Sequence, residues 1–259
     1  MERYGLHDFP VQRILDIDLD FFLDRIFYGH DEPQGRLSSR DYIPDTKETI
    51  LRYLIERCGL QESEPLPGAL CEHHVEVFDH WEAMLQEGVL SAPFEVVHLD
   101  AHADMGLGNL SCLYIAEEML AQPLEEREVP GGNDPWSLNN CNFLIYALAL
   151  RWIGKLTYVH HPEWKDDIQW MHMKDFSTTS GIIQLKQFEP GFTDGLEDFM
   201  KIKDLPFRAE PEIPMEVVER KDYRANAKPD FVFITQSPNY TPPTMDPIFE
   251  KMGCLIVDW

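Results

Sequence analysis

Acidic and imidazole side chains gather at the ends of apolar runs in three places along this 259-residue chain. The run Phe94-Glu95-Val96-Val97-His98-Leu99 gives way to Asp100-Ala101-His102-Ala103-Asp104, which offers a carboxylate or an imidazole at every second position. The alanines leave room for close approach, and these oxygen and nitrogen donors are ligands of divalent cations. The first apolar run, Val11 to Leu19, ends in Asp16-Ile17-Asp18-Leu19-Asp20-Phe21-Phe22, with no Lys or Arg among the carboxylates. Asp is depleted in strands, and like charges so close cost free energy unless a cation neutralises them. A shorter stretch, Ala69 to Cys71, leads into Glu72-His73-His74 where a helical pattern begins. The donors are imidazole and carboxylate without thiolate, which suits a pair of hard divalent ions such as Mn²⁺ better than a structural zinc.

Each cluster also has a plainer explanation. Asp16, Asp18 and Asp20 could form the wet face of an edge strand, alternating with Ile and Leu. His73 and His74 could simply open a helix, with Glu72 favouring its N-terminus. Asp100, His102 and Asp104 are harder to explain away, because three polar groups would then follow a buried strand to no purpose. The choice between His73 and His74, and between Asp16 and Asp20, is left to geometry.

The elements that must position these residues are strands alternating with helices. Val11–Leu19, Phe94–Leu99, Leu156–Val159, Phe231–Thr235 and Leu255–Val257 read as buried strands. Asp45 and Glu48 predict a capped helix that runs past Leu54 to Gly59, a second helix spans about His74 to Gln86, and a third about Asn142 to Trp152. Such alternation predicts an α/β fold: a three-layer α/β/α domain with a mostly parallel sheet covered on both faces. Ligands of such sheets bind outside the carboxyl ends of the strands, where the Asp and His clusters fall. The stretches 122–137 and 188–214, rich in acids, Pro and Gly, predict insertions or lids within a single domain covering 1–259. Glu125-Glu126-Arg127-Glu128 and the acids from Glu189 to Glu212 are candidate peptide-facing segments, with solvated loops as the alternative. Trp170-Met171-His172-Met173 reads as core and surface rather than as a soft-metal site.

Lys and Arg number 22 against 46 Asp and Glu, a formal net charge of −24. That balance repels nucleic acid and anionic membranes and favours a cationic partner, although ordinary solubility also accounts for it. No apolar run approaches the roughly 20 residues of a membrane helix. The charged, Pro-containing segment before Leu15 lacks a signal-peptide run, so a cytoplasmic setting is expected. Five widely spaced cysteines without a C-x-x-C pair agree with reduced thiols.

Asp100-Ala-His102-Ala-Asp104 resembles the D-A-H-x-D motif of the ureohydrolases, the arginases and agmatinases. Asp18 and Asp20 resemble that superfamily's D-x-D strand end, and His74 stands where its G-G-D-H motif has histidine, without the glycines. More specifically, Asp16 to Phe22, His98 to Asp104, His161-Pro-Glu-Trp164 and Ser237-Pro-Asn-Tyr-Thr-Pro242 are similar to D-I-D-L-D-F-F, H-x-D-x-H-x-D, H-P-x-W and S-P-x-Y-T-P of a ureohydrolase-like family that includes peptide arginases. The resemblance implies an arginase-like fold with permuted strand order, since the D-x-D strand here comes first. It implies two Mn²⁺ ions, one held by His74, Asp100, Asp104 and Asp18 and the other by Asp100, His102, Asp18 and Asp20. The activity implied is hydrolysis of arginine side chains in a ribosomally made precursor peptide to ornithine and urea. Asp104 is the expected proton relay, and His161 is either a rim histidine that passes protons to solvent or a turn histidine before proline. Arginases carry a Glu on the late strand to hold guanidinium. Here Thr235 and Gln236 stand there, so the guanidinium partner is another acid or a carbonyl.

Rival expectations are a free-arginine or agmatine ureohydrolase, or a deacetylase, on the same two-metal site. A non-catalytic peptide-binding homologue would not need all three ligand clusters intact. A two-metal phosphatase or nuclease fits the acidic balance poorly.

Overall fold

A computed structural model describes residues 11–28, 35–193 and 199–259. Along the chain run β1 (Arg13–Asp18), α1 (Lys47–Cys58), β2 (Leu66–Cys71), α2 (Val75–Gln86), β3 (Phe94–Asp100), α3 (Ser111–Tyr114), α4 (Phe143–Ala149) and β4 (Ile153–His160). There follow β5 (Ile182–Ile183), β6 (Lys186–Gln187), β7 (Arg208–Ala209), β8 (Ile213–Glu219), β9 (Phe231–Thr235), α5 (Asp246–Met252) and β10 (Ile256–Asp258). Eight of the strands form one sheet in the order β10-β2-β9-β1-β3-β4-β8-β5, parallel throughout except for β5 against β8.

Successive strand residues point to opposite faces, so each central strand feeds two cores. Ile14, Val96, Leu156 and Phe233 pack on one side with Trp81 of α2 and Leu144 of α4. Leu15, Ile17, Leu99 and Ile234 pack on the other with Ile50 and Leu54 of α1 and Met252 of α5. The result is the three-layer α/β/α arrangement expected from the alternation of strand and helix patterns. β1 lies between β3 and β9 in mid-sheet, and Asp16, Asp18 and Asp20 are buried, which overturns the wet-edge explanation of that acidic run.

Several boundaries differ from expectation for local reasons. The cap of α1 is Thr46, whose side chain accepts the Thr49 N–H, while Asp45 instead pairs with Arg220 across the fold. Gly59 ends α1 in the left-handed conformation, as expected. α4 stops at Ala149, and the chain then turns through Arg151 at φ 63°. β8 falls largely outside the sequence reading because Pro214 and Glu216 interrupt its apolar pattern, which a strand next to the sheet edge tolerates.

The two stretches read as insertions touch through Arg127 and Glu210 at the end of the sheet away from the acidic clusters. Arg127 donates to the Ala149 carbonyl at 2.6 Å and pairs with Glu210 at 3.1 Å, and Glu210 also pairs with Arg151 at 2.6 Å. These groups sit beside Ile153 and Ile213, the first residues of β4 and β8. Arg127 and Glu210 therefore anchor the chain beneath the sheet and do not overhang the carboxyl ends of the strands. Among the described residues no helix is long and apolar enough to cross a membrane, and none of the five cysteines forms a disulfide.

Candidate metal centre

Three chain segments deliver the acidic and imidazole groups to one point. β1 ends at Asp18, whose carboxylate accepts the Asp20 N–H at 2.9 Å and so starts a tight 3₁₀ turn, Leu19–Phe22, that brings Asp20 back toward β3. Asp20 in turn accepts the Ala101 N–H at 3.2 Å, tying that turn to the loop after β3. β2 ends at Cys71, and His74 is the N-cap residue of α2. The six expected ligands, Asp18, Asp20, His74, Asp100, His102 and Asp104, line one cavity of about 40 Å³, together with Tyr240.

Each of the two histidines is held by one ring nitrogen and presents the other. His74 Nε2 lies 3.1 Å from both oxygens of Asp16, while its Nδ1 is 3.0 Å from Asp104 Oδ2, 3.1 Å from Asp100 Oδ2 and 3.3 Å from Asp18 Oδ2. Neither this Nδ1 nor Asp100 Oδ2 forms a hydrogen bond, although both are buried. His102 donates through Nε2 to the Phe27 carbonyl at 3.0 Å, with Nδ1 3.1 Å from Asp20 Oδ2 and 3.8 Å from Asp100 Oδ1. An outer partner that fixes one imidazole nitrogen and leaves the other to a cation is the usual arrangement of ligating histidines. A cation about 2.1 Å from each ligand sets neighbouring octahedral donors about 3.0 Å apart, which matches the spacing around His74. Orphaned buried donors at ligand spacing fit a divalent cation. Among the described residues four groups have donors close enough together for one ion: Asp18-His74-Asp100 and Asp20-Asp100-His102, which lie wholly in the cavity wall and share Asp100, and Asp16-His74-His98 and His98-Asp100-Asp104, which include His98 behind it.

The electrostatics point the same way. Burial raises Asp18 to about 6, with the neighbouring Asp20 adding to it. Asp100 is pushed well above the usual carboxylate range by burial and by the charges of Asp20, Asp104 and Asp18. Burial pulls His102 down, but its bond to Asp20 and the charges of Asp20, Asp104 and Asp167 together outweigh this and lift it to about 10; His74 likewise rises well above its ordinary value despite burial, chiefly through Asp16. Carboxylates that resist ionisation beside imidazoles that hold protons describe a centre whose negative charge is offset by protons, a role that a divalent cation could take.

No protein-family model matches the chain, and no curated protein matches it. The site is therefore described by its own geometry.

That geometry separates the alternatives by their place at the cavity. His74 is buried in the cavity wall, whereas His73 is only half-buried, outside the wall, with its N–H donating to Glu76 at 3.2 Å. Asp20 lines the cavity, while Asp16 stands behind it as the carboxylate that orients His74. Burial raises Asp16, yet His74 and His98 together hold it below the usual carboxylate range. His161 is not brought to the cavity wall. It donates through Nε2 to the Leu23 carbonyl at 2.9 Å and accepts the Glu163 N–H on Nδ1 at 3.0 Å, so both nitrogens are committed to backbone. The rim proton relay expected of it is replaced by the turn-histidine alternative. Thr235 is buried within β9 and Gln236 bonds Asp246 at 2.7 Å, so neither lines the cavity where a guanidinium partner was sought. His172, Met171 and Met173 are core.

Four supporting residues had no role assigned from sequence. His98 spans from Asp16 Oδ2, at 2.7 Å, to the His102 carbonyl, at 3.2 Å. Ser237 donates its hydroxyl to Asp18, and Tyr240 three residues later lines the cavity, which gives the S-P-x-Y-T-P segment a physical purpose. Asp167 accepts the Ala103 N–H at 3.1 Å and the Trp164 indole N–H at 2.6 Å, pinning the turn in which Asp104 takes a φ of 46°. The signal for Asp167 was its place three residues after Trp164 of the H-P-x-W motif.

Proposed function

We propose that the chain hydrolyses the guanidinium of arginine side chains in a ribosomally made precursor peptide, giving ornithine and urea, with two divalent cations, Mn²⁺ by donor type, in this cavity. The observation that carries the reading is the convergence of six candidate ligands from three separate sequence clusters on one cavity of about 40 Å³, with His74 Nδ1 and Asp100 Oδ2, 3.1 Å apart, buried and outside any hydrogen bond. His74, Asp100, Asp104 and Asp18 would hold one ion and Asp100, His102, Asp18 and Asp20 the other.

When bound, such a pair lowers the pKa of a water enough to make it a nucleophile near neutral pH. The chain supplies orientation and proton handling. Asp104 has a side chain 9% exposed, against 2% for Asp100 and 5% for Asp18, so it is the carboxylate nearest an incoming substrate. It takes the proton of the attacking water and returns it to the departing ornithine amine as the carbon–nitrogen bond breaks. Tyr240, whose ring centre is 5.5 Å from that of His102, gives the planar guanidinium an aromatic wall. A net charge of −24 draws a basic peptide toward the site, and the reduced cysteines suit the cytoplasm.

The test is mass spectrometry of arginine-containing peptides, free arginine, agmatine and acetyl-lysine peptides incubated with the Mn²⁺-loaded protein. Loss of about 42 Da from the peptides with urea released, abolished in Asp100→Ala, is the expected result. Turnover of acetyl-lysine alone, or of nothing although the metal is bound, would overturn the reading.

A further inference from the structure

A groove of about 380 Å³ opens between α3 and the loop that carries Trp136. Leu110, Leu113, Tyr114 and Trp136 form its apolar walls, Glu117 and Glu118 stand among them, and Gly191 and Thr193 close one side. The Tyr114 and Trp136 rings stack with centres 6.3 Å apart at an interplanar angle of 9°, and Leu110 is 45% exposed. Two stacked rings, an exposed leucine and two carboxylates without a lining cation fit a segment that carries both apolar and basic side chains.

The groove is tied to the metal centre by a short length of chain. Leu110 lies six steps along the chain from Asp104, so the cavity and the groove wall lie at most about 20 Å apart, the span of about six residues of an extended peptide. The connection is held in place: Gly106 donates its N–H to the Cys141 carbonyl at 2.8 Å, in the loop that leads back to Trp136. Gly106 adopts φ +77°, and a Cβ there would stand 2.5 Å from Ser111 Oγ, so a larger residue would be strained in this turn and would have to displace that hydroxyl.

We infer that this groove binds the part of the substrate peptide that flanks the target arginine. An apolar side chain rests on the Trp136–Tyr114 pair, and a neighbouring lysine or arginine meets Glu117 and Glu118. The inference rests on the peptide-arginase reading and deepens it, because a free amino acid would have no use for such a surface.

The experiment compares two arginine substrates of the Mn²⁺-loaded full chain: N-acetyl-arginine methylamide, and a peptide of about twelve residues with one central arginine and alternating leucine and lysine on both sides. Trp136→Ala should raise KM for the long peptide about tenfold with kcat unchanged, and leave the short substrate untouched. Glu117→Lys, which removes no packing, should weaken the long peptide in the same way and reduce its salt dependence. Anisotropy of the same peptide, fluorescently labelled and added to metal-free protein, gives a readout independent of chemistry, and both variants should bind it about tenfold more weakly. Equal binding by wild type and variants, no binding by wild type, or equal loss on short and long substrates would overturn the groove assignment. Failure of every arginine substrate while the labelled peptide still binds in a Trp136-dependent way would overturn the catalytic reading instead.

Discussion

Replacing Asp16 by Asn tests whether the centre is held from behind. Asp16 is fully buried and faces two imidazole nitrogens, His74 Nε2 at 3.1 Å and His98 Nδ1 at 2.7 Å. An amide of the same shape keeps one acceptor but turns its NH₂ group toward the other ring, so His74 loses the partner that fixes its Nδ1 toward the cavity. Loss of such an outer partner weakens metal affinity about 10- to 100-fold. At a Mn²⁺ concentration about 100 times the wild-type Kd, binding stabilises the wild type by about 2.7 kcal/mol, whereas a 30-fold weaker site yields only about 0.9 kcal/mol. For a chain of this size that is a rise in Tm of about 5–10 °C for wild type against about 2–4 °C for Asp16→Asn. Thermal unfolding followed across a Mn²⁺ titration measures both. A variant whose Tm rises with Mn²⁺ as much as the wild type's would refute the idea that Asp16 orients a ligand.

Two further outcomes follow from the same contacts. Asp167→Asn leaves one of two donors, the Ala103 N–H or the Trp164 indole N–H, facing an NH₂ group, and should cost about 1–3 kcal/mol in urea unfolding while loosening the turn that carries Asp104. In metal-free protein Asp18 is raised by burial and Asp20 to about 6, so its ionisation opposes folding: stability is full below the ordinary carboxylate range and falls as pH rises toward about 6. Cation binding reverses this, because a deprotonated carboxylate is what the ion needs, and Mn²⁺ affinity measured by calorimetry should drop as pH falls below about 6. Affinity that is flat from pH 7 to 5 would show that Asp18 is not a ligand.

The parts of the centre that could be read from the chain were those where chemistry interrupts a local pattern. Asp100, His102 and Asp104 stand out because nothing in a buried strand end requires them, and Asp18 and Asp20 because carboxylates follow one another without a cation. The division of labour between Asp16 and Asp20 was not legible, since it depends on β1 ending at Asp18 and the chain then coiling into a 3₁₀ turn that swings Asp20 to the cavity. Ser237 acts on Asp18 across 219 residues and Asp167 on Ala103 across 64, contacts that no local spacing encodes. His161 illustrates the opposite difficulty. A histidine at a strand end can serve a site or a turn, and only the direction of its two nitrogens decides. The sheet was legible through its apolar runs at β1, β3, β4, β9 and β10, at β2 only as the short stretch Ala69 to Cys71, and not at the two-residue β5 or at β8, where half-burial permits Pro and Glu; at the start of α1 a distant arginine recruits Asp45 and leaves the cap to Thr46.

β1 and β3 are adjacent, with Asp16 opposite His98 and Ile17 opposite Leu99, so Asp18 and Asp100, at the ends of these two strands, are set by a ladder of backbone hydrogen bonds. Asp20, His102 and Asp104 lie on the turns that follow, and their places depend on the contacts that hold those turns. For protein engineering the two kinds of cavity residue therefore differ in tolerance: the strand-end carboxylates withstand changes in neighbouring loops, whereas the turn residues move with them.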